Sequence, residues 1–256
     1  MATLVRCLLL VFLLLPTAQA ETITINAEDD WAPFSSISAD KKTAVGLSVE
    51  LVRAAYASQG IDVRFVPVPF ARCLFEVEHG QVVACFNTSI TDENREKFNW
   101  PSQPLLSEGL SILALSEFAT KKISPKDLEG HLVGVTNGYT YPTWFMKNKK
   151  INKDLSRTDA VQLKKLLSRR IEYAVINTTP AQMMINADPA MRGKVKIVGE
   201  VEMSLLYLNF SKKHADAPRL LAAFETGFKA IQSNGVYARI QNDFKQRLGL
   251  LPQSDQ

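Results

Sequence analysis

At residues 87–95 the chain reads Asn87-Thr88-Ser89-Ile90-Thr91-Asp92-Glu93-Asn94-Arg95. The apolar run from Val82 to Phe86 precedes this stretch and predicts a buried strand, so hydroxyl and amide side chains follow a strand end. Asp92 suits the N-cap of a helix that would carry Arg95 in its first turn. Hydroxyls, helical N–H groups and a guanidinium together favour a carboxylate or a similar planar anion. The alternative is a capped helix whose arginine is a solvated surface charge.

The rest of the chain predicts an α/β protein. Three strand patterns and two helix patterns alternate between residues 22 and 86, an order typical of a parallel sheet with helices on its faces. A second α/β series begins after Leu105, and two helices follow a last strand at 205–210. The two halves are similar in kind without being a sequence repeat.

The N-terminus predicts export. Arg6 precedes an apolar run at 8–15 and the small-residue site Ala18-Gln19-Ala20, which together are typical of a signal peptide cleaved after Ala20. The apolar run is too short to span a membrane. The mature chain would have 256 − 20 = 236 residues and a net charge of +3, since Arg6 leaves with the signal. No basic run interleaved with aromatic residues is present, so we do not expect nucleic-acid binding.

Two cysteines would remain in the mature chain, Cys73 and Cys85. Export makes a disulfide between them possible, and two buried thiols are an equally open alternative. The three histidines stand alone, with no cysteine or histidine at metal-ligand spacing. We therefore expect neither a metal nor a cofactor.

Several segments, in order, resemble the extracellular solute-binding protein family 3, the polar amino-acid receptors of ATP-driven importers. These segments are Asp30-Trp31-Ala32-Pro33-Phe34-Ser35, Gly46-Leu47-Ser48-Val49-Glu50-Leu51, Ser89-Ile90-Thr91 with Arg95, Phe98 to Pro104, Leu128-Glu129-Gly130 before Val133-Gly134-Val135 and Gly138, and Asn234-Gly235-Val236-Tyr237. The resemblance implies a two-lobed periplasmic binding protein type II fold. In that fold each lobe is a mostly parallel sheet flanked by helices, and two hinge crossings join the lobes.

The resemblance also implies where the lobes divide. We expect the crossings near Leu106–Gly109 and Met203–Leu208. Lobe 1 would then be 21–107 plus 207–256, and lobe 2 would be 108–206. The ligand of such proteins lies in the cleft between the lobes, near the carboxyl ends of strands, and hinge closure buries it.

For the ligand's carboxylate, the resemblance implies Arg95, with Ser89 and Asn87 beside it in lobe 1. Thr140 matches a position that donates to the same carboxylate from lobe 2. The spacing departs from the family here, because Arg95 lies one residue further from Thr91 than in the amino-acid receptors. The loop could therefore bulge, or Arg95 could point elsewhere.

For the rest of the ligand, the resemblance implies aromatic cover from Trp31 and Phe70, with Tyr139 as a further candidate. Core packing is the alternative for the first two. Glu28 matches an acidic contact in members that bind basic amino acids. Asn177 stands where such receptors usually place an aspartate that pairs with the α-ammonium. Either Glu28 takes that role or the ligand is not a standard α-amino acid.

The sequence thus predicts a monomeric periplasmic receptor, not an enzyme. It would capture a small polar carboxylate-bearing ligand, an amino acid or a relative, and deliver it to an inner-membrane ABC permease. One rival is an enzyme that resembles cyclohexadienyl dehydratases, with Glu28, Asp29 or Glu172 as the general acid. Another is a periplasmic sensor that signals to a membrane protein, with the same binding chemistry.

Overall fold

A computed structural model describes residues 21–118 and 121–250. The predicted signal peptide, residues 1–20, and its cleavage site after Ala20 lie outside the described residues. Within those residues, no helix has the length and apolar composition needed to cross a membrane.

Strands and helices alternate through both halves of the described chain. The strands are β1 (Glu21–Glu28), β2 (Asp30–Trp31), β3 (Ser35–Ile37), β4 (Ala44–Val45), β5 (Ile61–Val68), β6 (Ala84–Ser89), β7 (Phe98–Asn99), β8 (Leu106–Leu115), β9 (Leu132–Thr136), β10 (Asn152–Ser156), β11 (Tyr173–Asn177) and β12 (Val195–Ser211). The α-helices are α1 (Leu47–Ala57), α2 (Phe70–Glu78), α3 (Thr143–Lys147), α4 (Asp159–Leu167), α5 (Thr178–Ala187), α6 (Ala217–Ser233) and α7 (Val236–Arg247).

Parallel pairing occurs where a helix or a long connection separates two strands. β1 pairs with β5, and β9 pairs with both β10 and β11, all in parallel. The largest sheet has the order β10-β9-β11-β8-β12-β6, with β7 also on β12, and its pairings through β8 and β12 are antiparallel. The predicted α/β architecture with helix-flanked sheets is confirmed, and the two long strands add an antiparallel centre to it.

The buried apolar side chains separate into two main cores. The first is built from β1, α1, β5 and α6, with Phe65 and Phe224 among its fully buried members. The second part of the chain packs β9, β11 and the helices around them, in two adjoining clusters. We call the elements packed around the first core the first lobe and the elements packed around the second core the second lobe.

The strands β8 and β12 contribute to both cores. Leu106 and Leu206 pack in the first core, whereas Leu110 and Val198 pack in the second. The two long strands therefore run side by side from one lobe into the other. The lobe limits predicted at 107/108 and 206/207 fall on these strands and stay a prediction.

The strand before the Asn87–Arg95 stretch extends further than the sequence predicts. β6 runs to Ser89, so Asn87 and Ser89 lie within a strand and not after it. The helix expected from Asp92 is wrong, because residues 92–97 form consecutive turns. Asn94 explains the difference: its Oδ1 accepts from the Thr91 amide at 2.7 Å and its Nδ2 donates to the Ser89 carbonyl at 2.9 Å. Such local side-chain bonds to the backbone compete with helix formation.

A disulfide joins Cys73 of α2 to Cys85 of β6, with their Cα atoms 6.0 Å apart. Both residues are fully buried in a small apolar cluster with Phe70 and Phe98. The structure therefore selects the disulfide from the two alternatives that the sequence leaves open. The bond ties α2, which begins with Phe70, to the strand that carries Asn87 and Ser89.

We expect the Cys73→Ala/Cys85→Ala double variant to be less stable by about 3 kcal/mol, since the bridge closes a short loop in the unfolded chain. For a domain of this size the loss corresponds to a fall in Tm of roughly 5–10 °C. Calorimetry of both proteins measures it, with reductant added to the wild type as a second route to the same loss. Alkylation of Cys73 and Cys85 in the unreduced wild type would contradict the disulfide.

Candidate functional site

A small cavity of about 20 Å³ lies between the two lobes. Eight of the nine side chains predicted for the site line it. They are Glu28, Trp31, Phe70, Asn87, Ser89, Tyr139, Thr140 and Asn177. Its volume is that of about one water molecule, because the two lobes meet across it.

The fold gathers these residues at strand ends. β1 ends at Glu28, β11 ends at Asn177, and the turn after β9 presents Tyr139 and Thr140. The carboxyl ends of parallel strands share one edge of a sheet, where α/β proteins bind their ligands. Each lobe therefore contributes its strand ends to the same cleft.

Two further lining residues, Ser204 and Leu206, come from β12. Neither residue stands out in the sequence by its type or spacing. The available signal was the second hinge crossing, predicted at Met203–Leu208, because a crossing strand borders the cleft on its way between lobes. Ser204 is buried and adds a hydroxyl group to the floor of the cavity.

Glu28 is the charged group of the inner cavity and is only 4 % exposed. Its Oε1 accepts a hydrogen bond from the Tyr139 hydroxyl of the other lobe. Burial raises the pKa of Glu28 well above its ordinary value. The hydrogen bond from Tyr139 opposes this rise in part. The nearby carboxylates of Asp159, Asp29 and Asp30 raise that pKa further. Burial also raises the pKa of Tyr139, so its hydroxyl remains a donor.

Neutral polar groups line the remaining wall. Ser48 donates to Asn87 Oδ1 at 2.6 Å, which orients the Asn87 amide. Asn87 Nδ2 is buried and has no hydrogen-bond partner within the described part of the chain. Asn177 Nδ2 donates to the carbonyl of Gly109 at 3.3 Å, and this contact ties the strand-end amide to the crossing strand β8.

A wider depression of about 270 Å³ forms the mouth of the cleft and shares Glu28, Phe70 and Tyr139 with the inner cavity. Asp29, Asp30 and Arg157 also line it. Burial, followed by the charge of Asp29, raises the pKa of Asp30. Two carboxylates against one guanidinium leave the mouth acidic.

Arg95 is the predicted site residue that the structure does not bring to the cavity. Its side chain is exposed on the turn of residues 92–97, and its carbonyl accepts from Trp100 Nε1 at 2.9 Å. The buried residue of that turn is Asn94, whose amide is committed to the turn backbone. Among the described residues, no lysine or arginine lines the inner cavity.

The other carboxylate considered for catalysis, Glu172, lies at the surface. It accepts from the Leu132 amide at 3.0 Å and pairs with His131 Nδ1 at 2.6 Å. Asp29 lies at the mouth and outside the inner cavity. No cluster of three or more potential metal ligands occurs among the described residues.

Several contacts hold the two lobes together around the cavity. The Ser89 amide donates to Thr140 Oγ1 at 3.3 Å, and Thr143 Oγ1 donates to Glu93 Oε2 at 2.7 Å. The lobes also approach closely at Gly138, where an added Cβ would lie 2.7 Å from the Cβ of Ala71 on α2. The structure is therefore a closed form of the cleft.

A buried polar network lies beneath the second-lobe side of the site. Asp159, at the start of α4, accepts a hydrogen bond from Thr136 Oγ1, which in turn accepts from Gln162 Nε2 at 2.9 Å. Burial raises the pKa of Asp159 to about 7. The hydrogen bond from Thr136 lowers this pKa, and the negative charge of Asp30 raises it.

We expect Asp159→Asn to gain stability relative to the wild type as pH rises. The folded-state pKa of Asp159, about 7, exceeds its ordinary value of 3.8. Its contribution is therefore complete below about pH 4 and is lost as pH rises through about 7. The asparagine does not titrate, so urea unfolding at about pH 5 and pH 8 should show a relative gain of about 2–3 kcal/mol for the variant. Parallel pH profiles would contradict this assignment.

The model of the bacterial extracellular solute-binding proteins, family 3, matches residues 23–247 of the chain. No curated protein matches the sequence.

The chain is similar to solved structures of the same fold over almost the whole length of each of those structures. An ancestral arginine-binding protein bound to arginine is 22% identical, with a TM-score of 0.74 over 87% of this chain and 97% of that one. A histidine kinase sensor domain with similarity to periplasmic binding proteins is 19% identical, with a TM-score of 0.78 over 87% and 95%. An amino acid ABC transporter substrate-binding protein from Streptococcus pneumoniae, bound to L-arginine, is 18% identical, with a TM-score of 0.72 over 88% and 94%. At these identities the likeness shows the fold alone.

Proposed function

The chain belongs to the bacterial extracellular solute-binding proteins, family 3, and from this we propose that it captures a small polar solute in the cavity between its lobes. The solute would be an amino acid or a related compound, released to an inner-membrane ABC importer. The receptor would act in the periplasm as a monomer, after removal of the signal peptide predicted at residues 1–20.

One observation carries this proposal: polar and aromatic side chains from both lobes converge on a single buried cavity. Glu28, Asn87 and Ser89 come from the first lobe, and Tyr139 and Asn177 come from the second. Such a cavity is complete only when the lobes close. Closure around a solute would therefore couple binding to a change of shape, which is how a partner can recognise the loaded receptor.

Delivery to an importer is supported by the similarity to a substrate-binding protein of an amino acid ABC transporter. A sensory role is the second candidate, because a histidine kinase sensor domain is similar over 87% of the chain with a TM-score of 0.78. Both roles use the same binding chemistry and differ in the partner. Co-purification of the closed protein with a permease or with a sensor ectodomain separates them.

Dehydration of a prephenate-like acid is less well supported by the cavity. Glu28 is a buried acid with a raised pKa, as a general acid requires. A dicarboxylate substrate also needs cationic partners in a buried site, and among the described residues no lysine or arginine lines the inner cavity. We therefore propose binding without turnover, which formation of phenylpyruvate from prephenate would contradict.

We expect Ala71→Leu to hold the cleft open and weaken solute binding at least tenfold, or about 1.4 kcal/mol. Ala71 is exposed on α2, so a larger side chain leaves the core intact, but its Cβ faces Gly138 across the cleft. Small-angle scattering should give a larger radius of gyration for the variant. Thermal shifts with amino acids, their carboxamides and their decarboxylated amines measure the binding.

Ala57→Leu is the matched control, since Ala57 is also an exposed helical alanine and lies outside the cavity lining. Its scattering and binding should match the wild type. If Ala71→Leu binds as tightly as this control, the solute site does not lie between the closing lobes.

A further inference from the structure

The inner cavity has an unusual balance of charge for an amino-acid site. It contains the carboxylate of Glu28 and, among the described residues, no cationic side chain. The rings of Trp31, Phe70 and Tyr139 border the same space. A buried acidic side chain beside aromatic rings is an environment that favours an ammonium group, because the ammonium pairs with the ionised carboxylate.

The turn that would supply a cation does not do so. Asn94 is its buried residue, and both ends of the Asn94 amide bond the turn backbone. Arg95 is exposed on the same turn. Arg157 lies at the mouth, where Asp29 and Asp30 outnumber it. A solute carboxylate in the inner cavity would therefore meet the Glu28 carboxylate without a buried counter-charge, which is costly.

Tyr139 already occupies the position that an ammonium would take. Its hydroxyl crosses from the second lobe and donates to Glu28 Oε1. Its ring packs edge-on against Phe70, with ring centroids 5.6 Å apart. A solute that binds Glu28 must offer a hydrogen-bond donor in place of this hydroxyl and must move the ring aside, because the cavity in the closed form is about 20 Å³.

A second group indicates what else the solute carries. Asn87 lines the cavity, and its Oδ1 accepts from Ser48 at 2.6 Å. Its Nδ2 is buried without a hydrogen-bond partner in the described chain. An unpaired buried donor is costly, so a neutral acceptor on the solute, a hydroxyl or a carbonyl, would satisfy it.

Building on the proposed function, we infer that the solute is a small organic amine that bears a neutral acceptor and no carboxylate, and that its ammonium displaces the Tyr139 hydroxyl from Glu28. Amino-acid carboxamides and amino alcohols have this chemistry. The Asn177 amide fits the same inference, because a single ammonium is neutralised by Glu28 and needs no second acidic side chain.

Matched sets of solutes test the class. Each set holds one α-amino acid, its carboxamide and its amino alcohol, with titration calorimetry on the wild type. We expect the carboxamide or the alcohol to bind at least tenfold more tightly than the parent acid. Glu28→Gln should cost at least tenfold in that affinity, and Arg95→Ala should stay within about twofold of the wild type.

The two proposals fail differently in this experiment. Tighter binding of the parent acids, with loss of binding in Arg95→Ala or Arg157→Ala, would overturn the amine inference and leave the receptor proposal standing. Binding of neither class, together with a scattering profile of Ala71→Leu equal to that of the wild type, would overturn both.

Tyr139→Phe tests the displacement. It keeps the ring and removes the hydroxyl that competes for Glu28, so we expect amine affinity to rise severalfold. If Tyr139 only supports closure of the lobes, the same variant should bind more weakly. Tyr141→Phe is the control: its buried hydroxyl accepts from the Thr136 amide at 2.7 Å, so its loss should lower stability and leave affinity unchanged.

Discussion

The carboxyl group of Glu28 is almost completely buried, and a buried acidic group requires a hydrogen-bond partner or a counter-charge. The closed structure meets this requirement with a neutral donor, the Tyr139 hydroxyl from the opposite lobe. The bond links the lobes at the site itself, so the arrangement of the cleft and the state of Glu28 are coupled. In the proposed function, a solute that binds Glu28 supplies the donor in place of Tyr139.

The fold makes this bond possible by bringing strand ends from two lobes to one place. Glu28 ends β1 beside β5, whereas Tyr139 follows β9 in the other lobe. The paired strands β8 and β12 join the lobes and also supply Ser204 and Leu206 to the cavity. The strands that run between the lobes therefore also line the cavity.

The sequence predicts the strands that border the cavity but not the turn that carries Arg95. The strand pattern predicts where β1 and β11 lie, and the family resemblance implies Glu28, Asn87, Tyr139 and Asn177 for the site; the structure brings these four to one cavity. Arg95 is not brought there, because two hydrogen bonds from Asn94 turn the chain where the pattern favours a helix. Side-chain bonds to the local backbone depend on the rotamer and cannot be read from spacing. The Cys73–Cys85 pairing likewise needed the 6.0 Å Cα separation that the fold provides.

Asn94 and Asn177 share one feature, a neutral amide side chain. Each is a neutral amide at or beside a position where the sequence resemblance implies a charge, cationic near Arg95 and anionic at Asn177. A site with only one of these two charges would leave one end of a bound zwitterion without a counter-charge. A site with neither charge depends on Glu28 alone. That carboxylate can balance one ammonium, with Trp31 and Phe70 beside it. Neither amide adds a charge to the cleft, so the acidic group of the inner cavity is Glu28, as the proposed single-ammonium solute requires.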